Sequence, residues 1–516
     1  MTQSDEMNTD NGESRSFWME TPDTRAEPAL AVDVDADVCI VGAGIAGMTT
    51  AYLLSRESQR VVVLDDGPVA GGETCRTTAH LVSAPDWWFD EIVTKHGKPA
   101  ARVAAESHGA AIDLIEETVR REEISCGFER LDGYLFTAPG DSTETLEREL
   151  EAAHEAGLAD VELVAKVPID AFETGAALRF PRQGQFHVLD YVKGLARAIE
   201  ANGGRIFQDT HAAEIEGESD ASAFVRTTGG ATVRARAVVV ATNSPVNDRV
   251  VIHTKQAPYR TYVVGARVPC GSVPRLLLWD TADPYHYVRL HPLGDAHDLL
   301  IVGGEDHKTG QATDVGNRYR RLEKWMREHF PAAGKVDYEW SGQVLEPVDG
   351  LAYIGPNPMD EASIFVATGF SGTGMTYGTI SGMLLTDRIQ GRKNAWAETY
   401  DPSRVTLGAA KAFAEENLNV AARYGDLVTG GEVESEGNIK RGTGAIVRRG
   451  LTKVAVYRDE EGVLHERSAI CPHLGCVVDW NPGEKTWDCP CHGSRYHRDG
   501  HVINGPANRG LAEVEK

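Results

Sequence analysis

Two short segments near the C-terminal end concentrate cysteine and histidine. The first, CPHLGC, covers residues 471–476, and the second, CPCHGSRY, covers residues 489–496. They hold four of the eight cysteines of the chain, and each contains one histidine. Thiolates and imidazoles at close spacing bind transition metals, and thiols can also form disulfides or exchange electrons. Four kinds of site could therefore use these side chains.

Three of the four kinds fit the spacing poorly. A zinc site with two C-x-x-C pairs does not match boxes that read C-x-H-x-x-C and C-x-C-H. A pure disulfide framework does not need the histidines, and redox-active cysteines usually come as a single C-x-x-C. The fourth kind is a Rieske [2Fe-2S] cluster, in which two cysteines hold one iron and two histidines the other. The side chains that fit this pattern are Cys471, His473, Cys489 and His492.

The two boxes resemble those of Rieske proteins in cytochrome bc complexes, with the strings C-x-H-L-G-C and C-P-C-H-G-S-x-Y. The resemblance covers about residues 430–516 and implies a small all-β domain. It implies that the two leftover cysteines, Cys476 and Cys491, form a disulfide between the cluster loops. It also implies that Ser494 and Tyr496 donate hydrogen bonds to cluster sulfur and a ligand thiolate, which raises the reduction potential. A cluster with a purely structural role stays open.

A second pattern lies near the N-terminal end. A short apolar run, VCIV, is followed by Gly42, Gly44 and Gly47 in the spacing G-x-G-x-x-G, then by a helical pattern and a second apolar run that ends at Asp65. The glycines allow a tight turn, close approach to a pyrophosphate and helix packing, and the helix N-terminus favours phosphate. Asp65 would accept hydrogen bonds from ribose hydroxyls, with Asp66 as the alternative acid. This order of strand, glycine turn, helix, strand and acid predicts a dinucleotide-binding site.

Three later features favour FAD over NAD. The loop 71–81 follows the acid directly, and an apolar strand ends at Ala241 and Thr242. A further strand precedes a glycine-rich turn and a helix, whose N-terminus could face the pyrimidine end of a flavin. The glycines of that turn are Gly369, Gly372 and Gly374. The chain has no second G-x-G-x-x-G, which argues against NAD(P)H as electron donor.

Residues from about 36 to 400 resemble the D-amino acid oxidase (DAO) family of FAD-dependent oxidoreductases. The matching strings are VCIVGAGIAGMTTAYLL, VVVLDD, AVVVATNSP, and YIGP followed by VATGFSGTGMTYG. The resemblance implies FAD and oxidation of a C–N bond in an amine or amino acid by hydride transfer to the flavin. Some relatives attach FAD through a histidine in the first loop, and because Arg76 lies near that place we expect non-covalent FAD. It puts Arg76, Thr77 and Thr78 in the loop that passes the flavin. It puts Met375, with the two preceding glycines, at the flavin ring.

The substrate side is expected on an inserted antiparallel sheet. The string YHYVRL alternates as a half-buried strand does, so Tyr287 and Arg289 should share one face. An arginine over a flavin could hold a substrate carboxylate with two hydrogen bonds. We therefore treat Tyr287 and Arg289 as candidate catalytic residues, with a solvated residue or an ordinary ion pair as the equally open alternative for Arg289. Arg260 and His307 are weaker candidates.

The elements that must position these residues give an α/β fold: a Rossmann-like FAD-binding domain with an inserted antiparallel-sheet substrate domain, plus a small all-β C-terminal domain. The 516 residues allow about two to four domains. The predicted ranges are a disordered acidic tail at 1–30, a DAO-like domain at 31–400 with insertions at about 90–180 and 255–340, a helical linker at 401–429 and a Rieske domain at 430–516.

The charge balance excludes some partners. The formal net charge is -25, which argues against nucleic acid and anionic membranes, because both require basic surface. No run reaches the roughly 18 apolar residues of a membrane span, and the polar N-terminal segment does not resemble a signal peptide. We expect a cytoplasmic protein.

Together the two halves predict a dehydrogenase. Electrons would pass from an amine or amino acid to FAD, then to the cluster, then to an unknown external one-electron acceptor. Two alternatives remain: an electron-transfer component that feeds a partner enzyme, and a redox-sensing regulator. A Rieske oxygenase fits poorly, because such enzymes lack the extra cysteine pair and no 2-His-1-carboxylate site is evident.

Overall fold

The nucleotide sheet has six strands and forms the centre of the first half of the molecule. The structure is a computed structural model and describes residues 12–20, 27–219, 221–247, 251–312 and 314–514. Five of the six strands run parallel, and only the first strand in the sheet order is antiparallel to its neighbour. In sheet order the strands are Tyr353–Pro356, Ile364–Thr368, Ala237–Val240, Val38–Val41, Val61–Leu64 and Arg205–Phe207.

Both faces of this sheet are covered, which explains its nearly continuous valine and isoleucine runs. On one face lie the helices Ile45–Arg56, Gly374–Ile389 and Val188–Ala201, with Lys98–Arg121 packed behind them. Gly378 allows two of these helices to lie close together, because a Cβ there would come within 2.6 Å of Ile45 Cγ2. On the other face lies a four-stranded sheet. Its strands are Val34–Asp35, Thr232–Ala235, Ser222–Thr227 and Ala212–Ser219.

A second, nine-stranded sheet, the cover sheet, lies over the carboxyl edge of the nucleotide sheet. It is antiparallel except for one parallel pair, Leu277–Asp280 with Glu129–Phe136. Along the sheet the strands are Val336–Pro347, Gln256–Pro269, His297–Lys308, His286–Pro292, Leu277–Asp280, Glu129–Phe136, Ala177–Gln185 and His80–Leu81, and Glu162–Val164 pairs with Ala177–Gln185. The associated helices are Phe89–His96, Thr143–Glu155 and Val315–His329. The fold class is confirmed as mixed α/β.

The C-terminal part is built from short strands, as predicted. A short helix, Ala397–Tyr400, and a longer one, Ala410–Arg423, lead into it. Three strands form one small antiparallel sheet: Thr443–Arg449, Thr452–Arg458 and Leu464–Ser468. Four form another: Asp479–Asn481, Thr486–Asp488, Arg495–His497 and Val502–Asn504. The two cysteine boxes are loops at the ends of these strands.

The segment 12–20 differs from the prediction of a disordered tail. Trp18 is fully buried, and its Nε1 donates a hydrogen bond to Thr77 O at 2.6 Å. Ser16 Oγ donates to Cys75 O at 2.5 Å. Two adjacent aromatic residues, Phe17 and Trp18, supply apolar surface that an otherwise acidic segment does not have. The tail prediction is therefore wrong for 12–20, and residues 1–11 and 21–26 lie outside the described residues.

None of the helices in the described part of the chain combines the length and the apolar character needed to cross a membrane.

Candidate active site and iron–sulfur centre

The glycine turn has the backbone that the sequence predicts. Gly42 has a φ of +107°, which favours glycine, and a Cβ on Gly47 would lie only 1.9 Å from Gly42 O. Asp65 lies beside this turn at the end of its strand. Its carboxylate accepts hydrogen bonds from Ala43 N at 2.5 Å and Gly67 N at 2.9 Å. Burial and the neighbouring Asp66 raise the pKa of Asp65 to about 7.

A cavity of about 1420 Å³ begins at this turn and extends under the cover sheet. This volume exceeds the 300–1,000 Å³ of common ligand sites and leaves room for a dinucleotide together with a small substrate. Most of the predicted FAD residues line it: Gly42, Gly44, Asp65, Arg76, Thr77, Thr78, Ala241, Thr242, Gly372, Gly374 and Met375. Gly47 and Gly369 do not line the cavity. Gly369 serves a turn instead, with a φ of +73°. The donor set and the crowded glycines fit FAD.

Arg289 does not line the cavity, although the sequence makes it a candidate for holding a substrate carboxylate there. Its Nη1 donates hydrogen bonds to the carbonyl oxygens of Thr78 at 2.9 Å, Ala79 at 2.7 Å and Phe186 at 3.2 Å. Its guanidinium also lies 5.4 Å from the ring of Trp18. Burial lowers the pKa of Arg289 to about 9. The prediction is therefore wrong, because the loop beside the flavin position and the N-terminal segment cover Arg289.

Tyr287, the other candidate, does line the cavity. Its hydroxyl lies 2.7 Å from Thr261 Oγ1. Tyr259 and Tyr285 lie in the same wall, so this end of the cavity is rich in phenol rings.

The cover-sheet end of the cavity also contains acids that the sequence does not reveal. Asp86, Asp306 and Glu346 line it, and Asp86 Oδ2 accepts from Gly372 N at 3.0 Å. Burial and mutual repulsion raise the pKa of Asp306 to about 7 and that of Glu346 well above its ordinary value. The three acids come from distant points of the chain, and no local pattern connects them.

The four predicted cluster ligands come together in the C-terminal domain. Tyr496 Oη lies 3.0 Å from Cys471 Sγ, and the ring centroids of His473 and His492 are 5.0 Å apart. A hydrogen bond with Cys489 lowers the pKa of Cys471 to about 6 despite its burial. Ser494 and Tyr496 contribute to the same shift. Two cysteines and two histidines in this arrangement fit a Rieske [2Fe-2S] cluster.

The leftover cysteines form the predicted disulfide. Cys476 and Cys491 are bonded, with their Cα atoms 6.5 Å apart. The sulfurs of Cys476, Cys489 and Cys491 lie within 4.8 Å of one another, which resembles a three-thiolate metal site. The disulfide excludes that reading, because bonded sulfurs are no longer thiolates.

Comparison with known families agrees with both centres. The model of the DAO family, described as FAD dependent oxidoreductase, matches residues 37–388. The chain belongs to this family. The model of the Rieske [2Fe-2S] domain matches residues 431–515. The two assignments imply FAD and a [2Fe-2S] cluster as the cofactors of this oxidoreductase.

One relative matches nearly the whole chain, and two other proteins match about 70% of it. YhfW of Bacillus subtilis, named as a Rieske 2Fe-2S iron-sulfur protein, is 33% identical over 97% of both chains. Gamma-glutamylputrescine oxidoreductase of Escherichia coli is 27% identical over 70% of this chain and 85% of its own. The crystal structure of glycine oxidase from Geobacillus kaustophilus superimposes with a TM-score of 0.61 at 21% identity, over 72% of this chain and 99% of its own. The match to glycine oxidase shows that the two chains share a fold.

The DAO-family domain and the Rieske domain meet at Gln343. This residue lines the cavity, and its Nε2 donates to Gly493 O, in the second cluster loop, at 3.0 Å. Thr309 Oγ1 donates to Gln343 Oε1 at 3.1 Å. A single side chain therefore contacts both the cavity and a loop that carries cluster ligands.

The histidine side of the cluster site faces the DAO-family domain. The ring of His253, which is 2% exposed, lies 5.0 Å from that of His473 and 6.1 Å from that of His492. His492 itself is 6% exposed. His253 has no distinguishing signal in the sequence, because it is a lone histidine between a valine–isoleucine pair and a threonine.

Proposed function

We propose that this protein is an amine dehydrogenase that passes electrons from FAD to its own Rieske cluster and on to an external one-electron acceptor. When bound, FAD would accept two electrons as hydride, and the cluster, at about -150 to +300 mV, would pass them on singly. The observation that carries the proposal is Gln343, which contacts the cavity on one side and the cluster loop on the other. This contact favours transfer within one chain.

The covering of His473 and His492 by His253 supports the same route. The histidine side of the cluster site is thus turned toward the domain that would hold FAD, which supports transfer within one chain. An electron-transfer component that only served a partner would gain nothing from a substrate-sized cavity beside its flavin.

The cavity lining favours an amine over an amino acid as substrate. A substrate carboxylate would lie beside Asp86, Asp306 and Glu346. Arg289 could not hold it there, because Arg289 is bound to backbone carbonyls. An ammonium group would instead be attracted by the acids and by the tyrosine rings. The relative named gamma-glutamylputrescine oxidoreductase is consistent with an amine substrate.

Asp306 is suited to remove a proton from the ammonium group of such a substrate. An amine must be neutral before it can lose hydride, so a group must take the ammonium proton. Burial raises the pKa of Asp306 to about 7, so its carboxylate can accept that proton near neutral pH. Asp306→Asn should raise KM for a diamine about 10- to 150-fold, because a hydrogen bond to a charged group contributes about 1.5–3 kcal/mol. The exposed Asp170→Asn should leave KM unchanged.

The decisive experiment is an anaerobic absorption titration with diamines, monoamines, N-methyl amino acids and D-amino acids, with NADH as a control. We expect a diamine to bleach both the flavin and the cluster bands. Bleaching of the flavin alone would contradict the internal route. Reduction by NADH and by no amine would overturn the amine assignment and favour the electron-transfer component.

A further inference from the structure

The cavity does not belong to the DAO-family domain alone. At the end marked by Asp65, its wall includes residues 501–505 and 507–510 of the Rieske domain. This segment comprises the last strand, Val502–Asn504, and the loop after it. Asp65 lies at the carboxyl end of its strand, where the ribose of a dinucleotide is bound in this type of fold. The Rieske segment therefore lies at the adenosine end of the FAD site.

Direct hydrogen bonds hold the segment in place. Asn508 Nδ2 donates to Ala212 O and to Ala213 O, both at 3.0 Å. His211 connects the two sides: its Nε2 lies 3.3 Å from Asn508 O and its Nδ1 lies 3.3 Å from Asp66 Oδ2. The acid next to Asp65 is thus connected through one imidazole to the Rieske domain.

The fit is also close at the start of the loop. A Cβ on Gly505 would lie 3.1 Å from Val246 Cγ1 and 3.2 Å from Ser244 O, in the segment that follows Thr242. Asn504 Nδ2 donates to Glu73 Oε1 at 3.1 Å, in the loop on the flavin side. The Rieske segment consequently touches the chain on both sides of the cavity mouth.

We propose that residues 501–510 are part of the FAD-binding site, so that retention of FAD and docking of the Rieske domain stabilise each other. A ligand that contacts both domains binds more tightly when they are docked, and by linkage it favours the docked state to the same extent. The cluster would then be held beside the cavity most firmly in the FAD-loaded protein. This inference concerns cofactor retention and holds whatever the substrate is.

The test measures release of FAD from the full-length holoprotein by the rise in flavin fluorescence after dilution. Asn508→Ala removes the two hydrogen bonds to Ala212 and Ala213, and we expect release at least about tenfold faster than in the wild type, which corresponds to 1.4 kcal/mol. Asn438→Ala is the matched control, because Asn438 is exposed on the Rieske domain and outside the cavity wall. The visible spectrum of the cluster verifies that each variant is folded.

A second measurement does not depend on a variant. Hydrogen exchange of the amides in 501–510 should be slower in the FAD-loaded wild type than in protein stripped of FAD, and exchange in the strand Thr452–Arg458 should be the same in both. Unchanged release in Asn508→Ala, equally fast release in Asn438→Ala, or identical exchange of 501–510 with and without FAD would each overturn the proposal.

Discussion

Glu484→Gln should be among the most destabilising single changes at the boundary between the two domains. Glu484 belongs to the Rieske domain, its side chain is 1% exposed, and Arg76 Nη1 lies 3.5 Å from its Oε2. It also accepts from Ser14 N at 3.1 Å and lies close to Arg260 and Arg495. Among the described residues, none of the three guanidinium nitrogens of Arg260 has a hydrogen-bond partner. The negative charge of Glu484 is therefore needed to compensate several buried cations.

The pKa of Glu484 indicates how much stability its negative charge contributes. Burial alone would raise it, but Arg76, Arg260 and Arg495 lower it from 4.5 to about 2. A depression of this size corresponds to about 3 kcal/mol of stabilisation by the ionised form, at 1.36 kcal/mol for each pKa unit. Removal of one partner from a buried ion pair costs a similar 3–5 kcal/mol. We expect Glu484→Gln to lose about 3 kcal/mol at pH 7.

The assay is urea unfolding followed in parallel by circular dichroism and by cluster absorption. Because the folded-state pKa is depressed, the stabilisation is fully present above pH 4.5 and is lost as pH falls toward 2. The difference between wild type and variant should therefore be equal at pH 7 and pH 5. Exposed Glu434→Gln is the control and should change stability by less than about 0.5 kcal/mol. A loss below about 1 kcal/mol in Glu484→Gln would refute the reasoning.

Three further predictions concern single features. Tyr496→Phe removes the hydroxyl beside Cys471 Sγ and should lower the midpoint potential of the cluster. A redox titration followed by electron paramagnetic resonance measures this potential, and an unchanged value would contradict the prediction. Replacing Cys476 and Cys491 together by serine opens a loop with a sequence separation of 15. The variant should lose about 3 kcal/mol of stability against thermal unfolding when the wild type is oxidised. Under reducing conditions the two proteins should be equally stable. Trp18→Ala empties a fully buried site and should cost about 3–5 kcal/mol in urea unfolding; a loss below about 1 kcal/mol would contradict the tight packing of this segment.

The centres that could be predicted from the sequence depend on short-range spacing. Cys471 and His473 are two residues apart, and Cys489 and His492 are three apart, so each pair of cluster ligands lies on one loop whatever surrounds it. The glycine turn at Gly42 likewise depends on neighbouring backbone. The disulfide came from the resemblance and not from spacing, since four cysteines allow three pairings.

The features that could not be predicted depend on what other segments cover. The alternation of side chains along a β-strand put Arg289 on the same face as Tyr287. It could not reveal that Trp18 and the carbonyls of Thr78 and Ala79 contact Arg289 there. Asp306 shows the same limit, because Asp86 and Glu346, the acids that share its end of the cavity, belong to other segments of the chain. The composition of the N-terminal segment indicated disorder, yet Trp18 is buried and Ser14 and Ser16 form hydrogen bonds with Glu484 and Cys75.

The nature of the domain boundary bears on whether the electron route is permanent. Contacts between exposed charges weaken at high ionic strength, whereas pairs removed from solvent are screened much less. Two charge pairs between the domains, Arg76 with Glu484 and Arg495 with Glu73, are largely removed from solvent. Salt should therefore not separate the domains, and Gln343 should keep its contact with Gly493 across a wide range of ionic strength. A boundary of this kind suits a fixed relay between two centres better than a domain that must swing to a distant partner in every turnover.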